Sequence, residues 1–96
     1  MGKNNYDVDT LFYKGKETIL SFCQESAKEI GLEFANKSSI IWFDDFANHK
    51  HVLTICAKSG SRVVDFSKDN IIEYAQQKNC KKTQEQLKNI LKDIKD

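Results

Sequence analysis

His51-Val-Leu-Thr-Ile-Cys-Ala-Lys-Ser-Gly-Ser-Arg-Val-Val-Asp-Phe-Ser67 reads as two strands joined by a tight turn. Taking Ser59-Gly60 as a two-residue loop sets a register, because glycine tolerates the positive φ that such loops use. That register pairs Lys58 with Ser61, Cys56 with Val63, Ile55 with Val64 and Leu53 with Phe66. Side chains alternate across a strand, so Leu53, Ile55, Val64 and Phe66 share one face. A slip of one residue would scatter this apolar set over both faces. The opposite face carries Val52, Thr54, Cys56, Val63 and Asp65, half apolar and half polar, and the functional question sits there.

Outward from the hairpin, Ile40-Ile-Trp-Phe43 is β-branched and aromatic throughout. Such a strand is apolar on both faces and is expected to be central or covered on both sides. Asp44 to Lys50 is a polar link, so the three strands form an antiparallel meander. Before them, Ile19, Leu20, Cys23, Ala27 and Ile30 recur at helical spacing. Gly31 stands where a helix-ending glycine belongs, and Leu32 follows as its apolar lid. Tyr6 to Gly15 is left open between helix and edge strand. Met1 to Asn5 reads as a disordered start, and Ala35 to Ser39 as a connector. After the hairpin, Ser67 caps a helix carrying Ile71, Ile72 and Ala75, which ends at Asn79 or Cys80. Thr83-Gln-Glu-Gln86 is a capping-box pattern leading into Leu87, Ile90, Leu91 and Ile94. Gln76 to Lys82 is polar and separates these two helices. The expected fold is α+β in the order α-β-β-β-α-α, with a three-stranded antiparallel meander packed against helices as a single domain over 1–96.

The chain has 96 residues, 40% apolar and 30% charged, with a formal net charge of +1. That size supports one modest core without disulfide or metal staples, and the near-neutral total gives no global pull toward nucleic acid or membrane. The first 48 residues carry net −3 and the last 48 net +4. The second half therefore has the charge for a basic face. Cys23, Cys56 and Cys80 show no C-x-x-C spacing and read as reduced thiols of a cytoplasmic protein. Cys56, on a strand among apolar neighbours, reads as an inert thiol. No run approaches the length of a membrane span.

Three groups of residues carry functional meaning. Asp44-Asp-Phe-Ala-Asn-His-Lys-His51 places two imidazoles two residues apart, on one side of an extended chain, near two carboxylates. The chemistry of that set is a divalent-metal or acid–base site, and the competing reading is a solvated turn. Lys50, Lys58, Arg62, Lys78, Lys81 and Lys82 could contact phosphates. One arginine among the basic residues argues against sequence-specific readout of bases. Third, Val52, Cys56 and Val63 join either Ile40 and Trp42 or Ile41 and Phe43 in an apolar outer face. That face is covered by the C-terminal helices or left open to a partner, a homodimer included.

The order of helix, three-strand meander and helix resembles that of double-stranded-RNA-binding domains and of the small HicA-type toxin ribonucleases. The residues reminiscent of HicA are His49-Lys-His51, the Gly60 turn with Arg62-Val-Val64, and Leu87-Lys-Asn-Ile-Leu91. The Gly-Ser-His signature of those ribonucleases is absent. The basic helix start of the RNA-binding domains would map to Lys81-Lys82. From the resemblance follow two expectations, a nucleic-acid-binding module and a ribonuclease using His49 and His51. The preferred expectation is a non-catalytic binding or regulatory protein, of inhibitor or adaptor type, that needs no cofactor or metal. Its partner is most simply another protein, met through Trp42, Asp44, Asp45, Lys50, Thr54, Lys58 and Arg62.

Overall fold

The structure, a computed structural model, describes residues 8–34 and 39–95. The expected frayed start and most of the expected 35–39 connector lie outside those residues. The elements are α1 (Val8–Glu29), β1 (Ile40–Asp45), β2 (Lys50–Ala57), β3 (Gly60–Phe66), α2 (Lys68–Ala75) and α3 (Cys80–Lys95). The strands form one antiparallel sheet in the order β1-β2-β3. The α-β-β-β-α-α order read from the sequence is the order observed.

The open segment before Lys16 is helical from Val8 onward. Phe12, Gly15, Ile19, Cys23, Ser26 and Ala27 are the buried residues of α1. They continue one stripe at three- and four-residue spacing, and glycine is its least visible member. The helix ends in a Schellman motif. Gly31 adopts φ +71°, its N–H donates to the Lys28 carbonyl at 3.1 Å, and the Leu32 N–H donates to Ala27 at 2.9 Å. Leu32 is buried over the last turn, as that motif requires.

The hairpin register differs from the sequence reading by two residues. Ala57 pairs with Gly60, Ile55 with Arg62, Leu53 with Val64 and His51 with Phe66. The loop is Lys58-Ser59, and Gly60 is the first residue of β3. Positive φ among the described non-glycine residues is confined to His49, Gln77 and Asn79, so Lys58 and Ser59 turn with negative φ. Both loop residues are held from outside the hairpin. The Lys58 N–H donates to the Glu33 carbonyl at 2.9 Å, and the Ser59 hydroxyl donates to the Ile94 carbonyl at 2.7 Å. A slip of two preserves side-chain parity, so Leu53, Ile55, Val64 and Phe66 still share one face, and all four are buried.

That face is the core side. Ile40, Leu53, Ile55, Val64 and Phe66 pack with Ile19 and Cys23 of α1, Ile71 and Tyr74 of α2, and Leu87, Leu91 and Ile94 of α3. All three helices lie on this side of the sheet, and the result is two layers. β1 is therefore corrected from a central or doubly covered strand to an edge strand with one open face.

Ser67 caps α2 as expected. Its hydroxyl accepts from the Asn70 N–H at 3.1 Å, and the Asn70 side chain returns the bond to the Ser67 N–H. The helix stops at Ala75, earlier than Asn79. Left-handed residues Gln77 (φ 62°) and Asn79 (φ 57°) turn the chain into α3. The Asn79 carbonyl already accepts from the Thr83 N–H at 3.3 Å. Thr83 is thus inside α3, and the expected capping box at 83–86 does not form.

Candidate functional site

The register between β1 and β2 pairs Asp45 with Lys50, Phe43 with Val52 and Ile41 with Thr54. With Thr54 opposite Val63 and Val52 opposite Asp65 in the hairpin, the outer face is fully specified. Its middle row is Ile41, Thr54, Val63, and the next is Phe43, Val52, Asp65. Asp45 and Lys50 close one end, and Cys56 with Ser61 lies toward the other. Ile41, Phe43 and Val63 are 50%, 62% and 64% exposed. Of the two combinations left open by the sequence, it is Ile41 and Phe43 that join Val52, Cys56 and Val63. Strand spacing and rise give these rows a footprint of about 300 Å², Thr54 and Asp65 included.

Of the residues expected on the outer face, Thr54 occupies its centre, and Asp45 and Lys50 its end. Trp42 and Asp44 face inward. The Trp42 indole N–H donates to the Lys16 carbonyl at 3.1 Å, and its ring packs 5.4 Å from Phe66. Lys58 sits in the hairpin turn, 3.9 Å from the Glu33 carboxylate. Arg62 lies opposite Ile55, so its Cβ is on the helix side of the sheet, and its guanidinium reaches the Ser61 carbonyl at 3.1 Å.

The carboxylate–histidine set resolves into two unrelated parts. His49 is an exposed turn residue with φ 56°. His51 is 2% exposed on the inner face, between the rings of Phe12 and Phe46 at 4.7 and 5.6 Å. The expectation that both imidazoles lie on one side fails because the extended strand begins only at Lys50. The His51 Nδ1 is 2.8 Å from one oxygen of Asp44, and the Lys16 ammonium lies 2.5 Å from the other. Desolvation pushes the Asp44 carboxyl up, but hydrogen bonds and charge from Lys16 and His51 outweigh it and hold it below the usual value. An ionised carboxylate only accepts, so the Nδ1 carries the proton. The Lys16 ammonium also lies within 5.1–5.8 Å of the Phe12, Tyr13 and Trp42 ring centres. This network fastens α1 to β1 and β2, and its imidazole is sealed from solvent. Lys16 had no signal in the sequence, because its carboxylate partner is 28 residues away. Asp45 is separate. The Asn48 side chain donates to it at 2.8 Å and holds its carboxyl low while closing the turn. Among the described residues no three His, Cys, Asp or Glu side chains gather as a metal site.

The basic residues do not gather on one face; Lys78 and Lys82 alone share a cleft. Lys50 and Lys58 lie at opposite ends of β2, about 25 Å apart at the rise of a strand. Lys78 and Lys82 line a cleft beneath the end of β3, shared with Asp65 and Glu73. Lys81 is exposed on the first turn of α3.

All three cysteines are free. Cys56 is exposed on the outer face, a correction to the inert reading, whereas burial pushes the Cys23 thiol up to about 12. Native protein treated with iodoacetamide is expected to label Cys56 within the time that leaves Cys23 unmodified. Cys23 reacts only after denaturant is added. Peptide mass spectrometry reads the order, and early Cys23 labelling would contradict the packing of α1.

No helix among the described residues is long and apolar enough to cross a membrane. No protein-family model, curated protein or solved structure matches the chain. Fold and surface together define a small α+β domain, two-layered, with one open sheet face.

Proposed function

We propose that this chain is a non-catalytic binding protein of the cytoplasm that docks another protein on the outer face of its sheet, as an inhibitor or adaptor. The observation that carries the reading is the outward set of Ile41, Phe43 and Val63 in two adjacent rows, each at least half exposed on the side of the sheet away from α1, α2 and α3. Fully burying a side chain of this kind stabilises a complex by about 1.5–3 kcal/mol. Because these three are already partly covered, docking would recover about half of that from each. Phe43 has the aromatic character of an interface anchor, and Asp45 and Lys50 form a polar rim beside it.

Phe43→Lys and Val63→Lys are expected to keep the circular dichroism and melting temperature of the parent, because neither side chain is in the core. Each is expected to weaken partner capture at least tenfold in a pull-down. Replacing Lys58, Lys81 and Lys82 together by Glu is expected to leave capture intact. Undiminished capture by both outer-face variants would sink the proposal. Loss on the triple Glu variant alone would move it to a charge-driven partner such as nucleic acid.

A further inference from the structure

β3 is an edge strand, and the hydrogen-bond phase of the sheet shows what that edge presents. The Cys56 N–H donates to the Ser39 carbonyl at 2.7 Å, the residue directly across from it when the β1–β2 register is continued by one pair. Hydrogen-bonded pairs alternate along an antiparallel ladder, so even-numbered residues of β2 bond to β1 and odd-numbered ones to β3. Opposite Leu53, Ile55 and Ala57 stand Val64, Arg62 and Gly60, which therefore supply the β3 side of that ladder. Ser61, Val63 and Asp65 turn their N–H and C=O groups the other way, off the sheet.

We infer that this edge takes an extended segment of another protein as a fourth strand, antiparallel to β3. The inference concerns the edge and stands beside the outer-face docking reading without depending on it.

The backbone specifies the form of the occupant. Among the described residues, the Ser61 N–H and both main-chain groups of Val63 and Asp65 make no hydrogen bond, and the Arg62 guanidinium covers the Ser61 carbonyl at 3.1 Å. Donors and acceptors in a row at strand spacing are complementary to another extended backbone. Proline, a bulge or an edge lysine commonly keeps such a strand from pairing further. β3 pairs with β2 without a break from Gly60 to Phe66, contains neither proline nor lysine, and leaves Val63 exposed near its middle. The opposite edge differs. There Trp42 and Asp44 are bonded to Lys16, which holds α1 against β1.

The side chains specify the sequence. Arg62 and Asp65 are both exposed, and each selects the opposite charge across an added strand. A strand centred on Val63 meets Asp65 with lysine, Val64 and Val63 with valine, and Arg62 with glutamate. That glutamate also draws the guanidinium off the Ser61 carbonyl and frees it to pair. Read in its own direction the strand is Lys-Val-Val-Glu-Thr, with threonine opposite Ser61. The charge-reversed order, Glu-Val-Val-Lys-Thr, sets like charges against Asp65 and Arg62.

Fluorescence anisotropy of the labelled, end-capped Lys-Val-Val-Glu-Thr peptide, titrated with the whole chain, tests the inference. Saturable binding is expected, with the charge-reversed peptide several-fold weaker. A chain carrying Arg62→Glu and Asp65→Lys is expected to invert that preference, and neither residue is in the core. Val63→Pro removes one outward N–H and no donor to β2, and is expected to weaken binding about tenfold at unchanged circular dichroism. Phe43→Lys, on the far strand, is expected to bind the peptide as the parent does. Absence of binding by both peptides overturns the inference. So does equal binding of the two, or a preference that the double variant fails to invert. Loss on Phe43→Lys would place the peptide on the sheet face and overturn it as well. Any of these results leaves the docking reading to its own test, the capture of a partner by the Phe43 and Val63 variants.

Discussion

Gly15→Ala is expected to destabilise the fold by roughly 2 kcal/mol, although alanine is the better helix former. Two effects of opposite sign meet at this position. Intrinsic propensity favours alanine inside a helix by about 1 kcal/mol. Against that, a Cβ at Gly15 would lie 2.3 Å from the Ile71 carbonyl oxygen, 2.7 Å from Ile71 Cγ2 and 3.0 Å from the Ile71 carbonyl carbon. Two of these three atoms are backbone of α2, so no side-chain rotation relieves the contact. α2 must move off α1 as a unit, and it carries the buried Ile71 and Tyr74 with it. Overpacking a core costs about 1–3 kcal/mol, and more where the obstruction is rigid, so packing wins. In a domain of this size that loss lowers the melting temperature by about 8–16 °C. Ser21→Ala, at an exposed site of the same helix, is the control and is expected to raise it slightly. A Gly15→Ala protein as stable as the parent would mean that α1 and α2 are not in backbone contact.

Asp44→Ala is expected to cost about 2–3 kcal/mol, at or just below the roughly 3–5 kcal/mol of breaking a fully buried ion pair. The substitution strands two donors at once. The Lys16 side chain is 13% exposed and that of His51 3%, so neither recovers full hydration. Asp44 itself is 21% exposed, which brings the figure down from that range. Lys16→Met should restore part of the loss in the Asp44→Ala background, and a double-mutant cycle measures the coupling. The pH dependence has a definite sign. The folded-state pKa of Asp44 is lowered from 3.8, so its contribution is complete above its unfolded value and disappears as pH falls through the folded one. Unfolding free energy measured between pH 6 and 2 should therefore decline less steeply for Asp44→Asn than for the parent. Equal slopes would show that the carboxylate is not held by Lys16 and His51. Asp45 is also lowered, and it contributes the same background slope to both proteins.

The strands, the helix stripe through Ile19, Cys23 and Ala27, and the Gly31 and Ser67 caps were legible because each rests on local periodicity or a single backbone requirement. The hairpin faces were legible for the same reason, but the register was not. Parity distinguishes a slip of one residue and is blind to a slip of two, and the deciding contacts come from Glu33 and Ile94, far along the chain. The outer face was half legible. Which parity of Ile40 to Phe43 faced outward depended on pairing across the β1–β2 turn, where Asp45 opposite Lys50 is the one local clue. His51 resembled a catalytic residue in the sequence because polarity was the only property visible there. The rings of Phe12 and Phe46 that enclose it are brought in by tertiary structure.

At the end of the sheet opposite His51, hydrogen bonds join elements that are far apart in the chain. The Ile94 carbonyl accepts from Ser59, the Lys95 ammonium reaches the Ile30 carbonyl beyond the end of α1, and the Lys58 N–H is bound by Glu33. The last carbonyls of a helix ordinarily lack partners, and its final turn frays independently of the rest. In this chain the end of α3 is tied to the hairpin turn, and through Lys95 to the end of α1. The final turn of α3 therefore has tertiary ties that an ordinary helix end lacks. Amide hydrogens there are expected to exchange more slowly than those of a free helix end, and Ser59→Ala is expected to speed them.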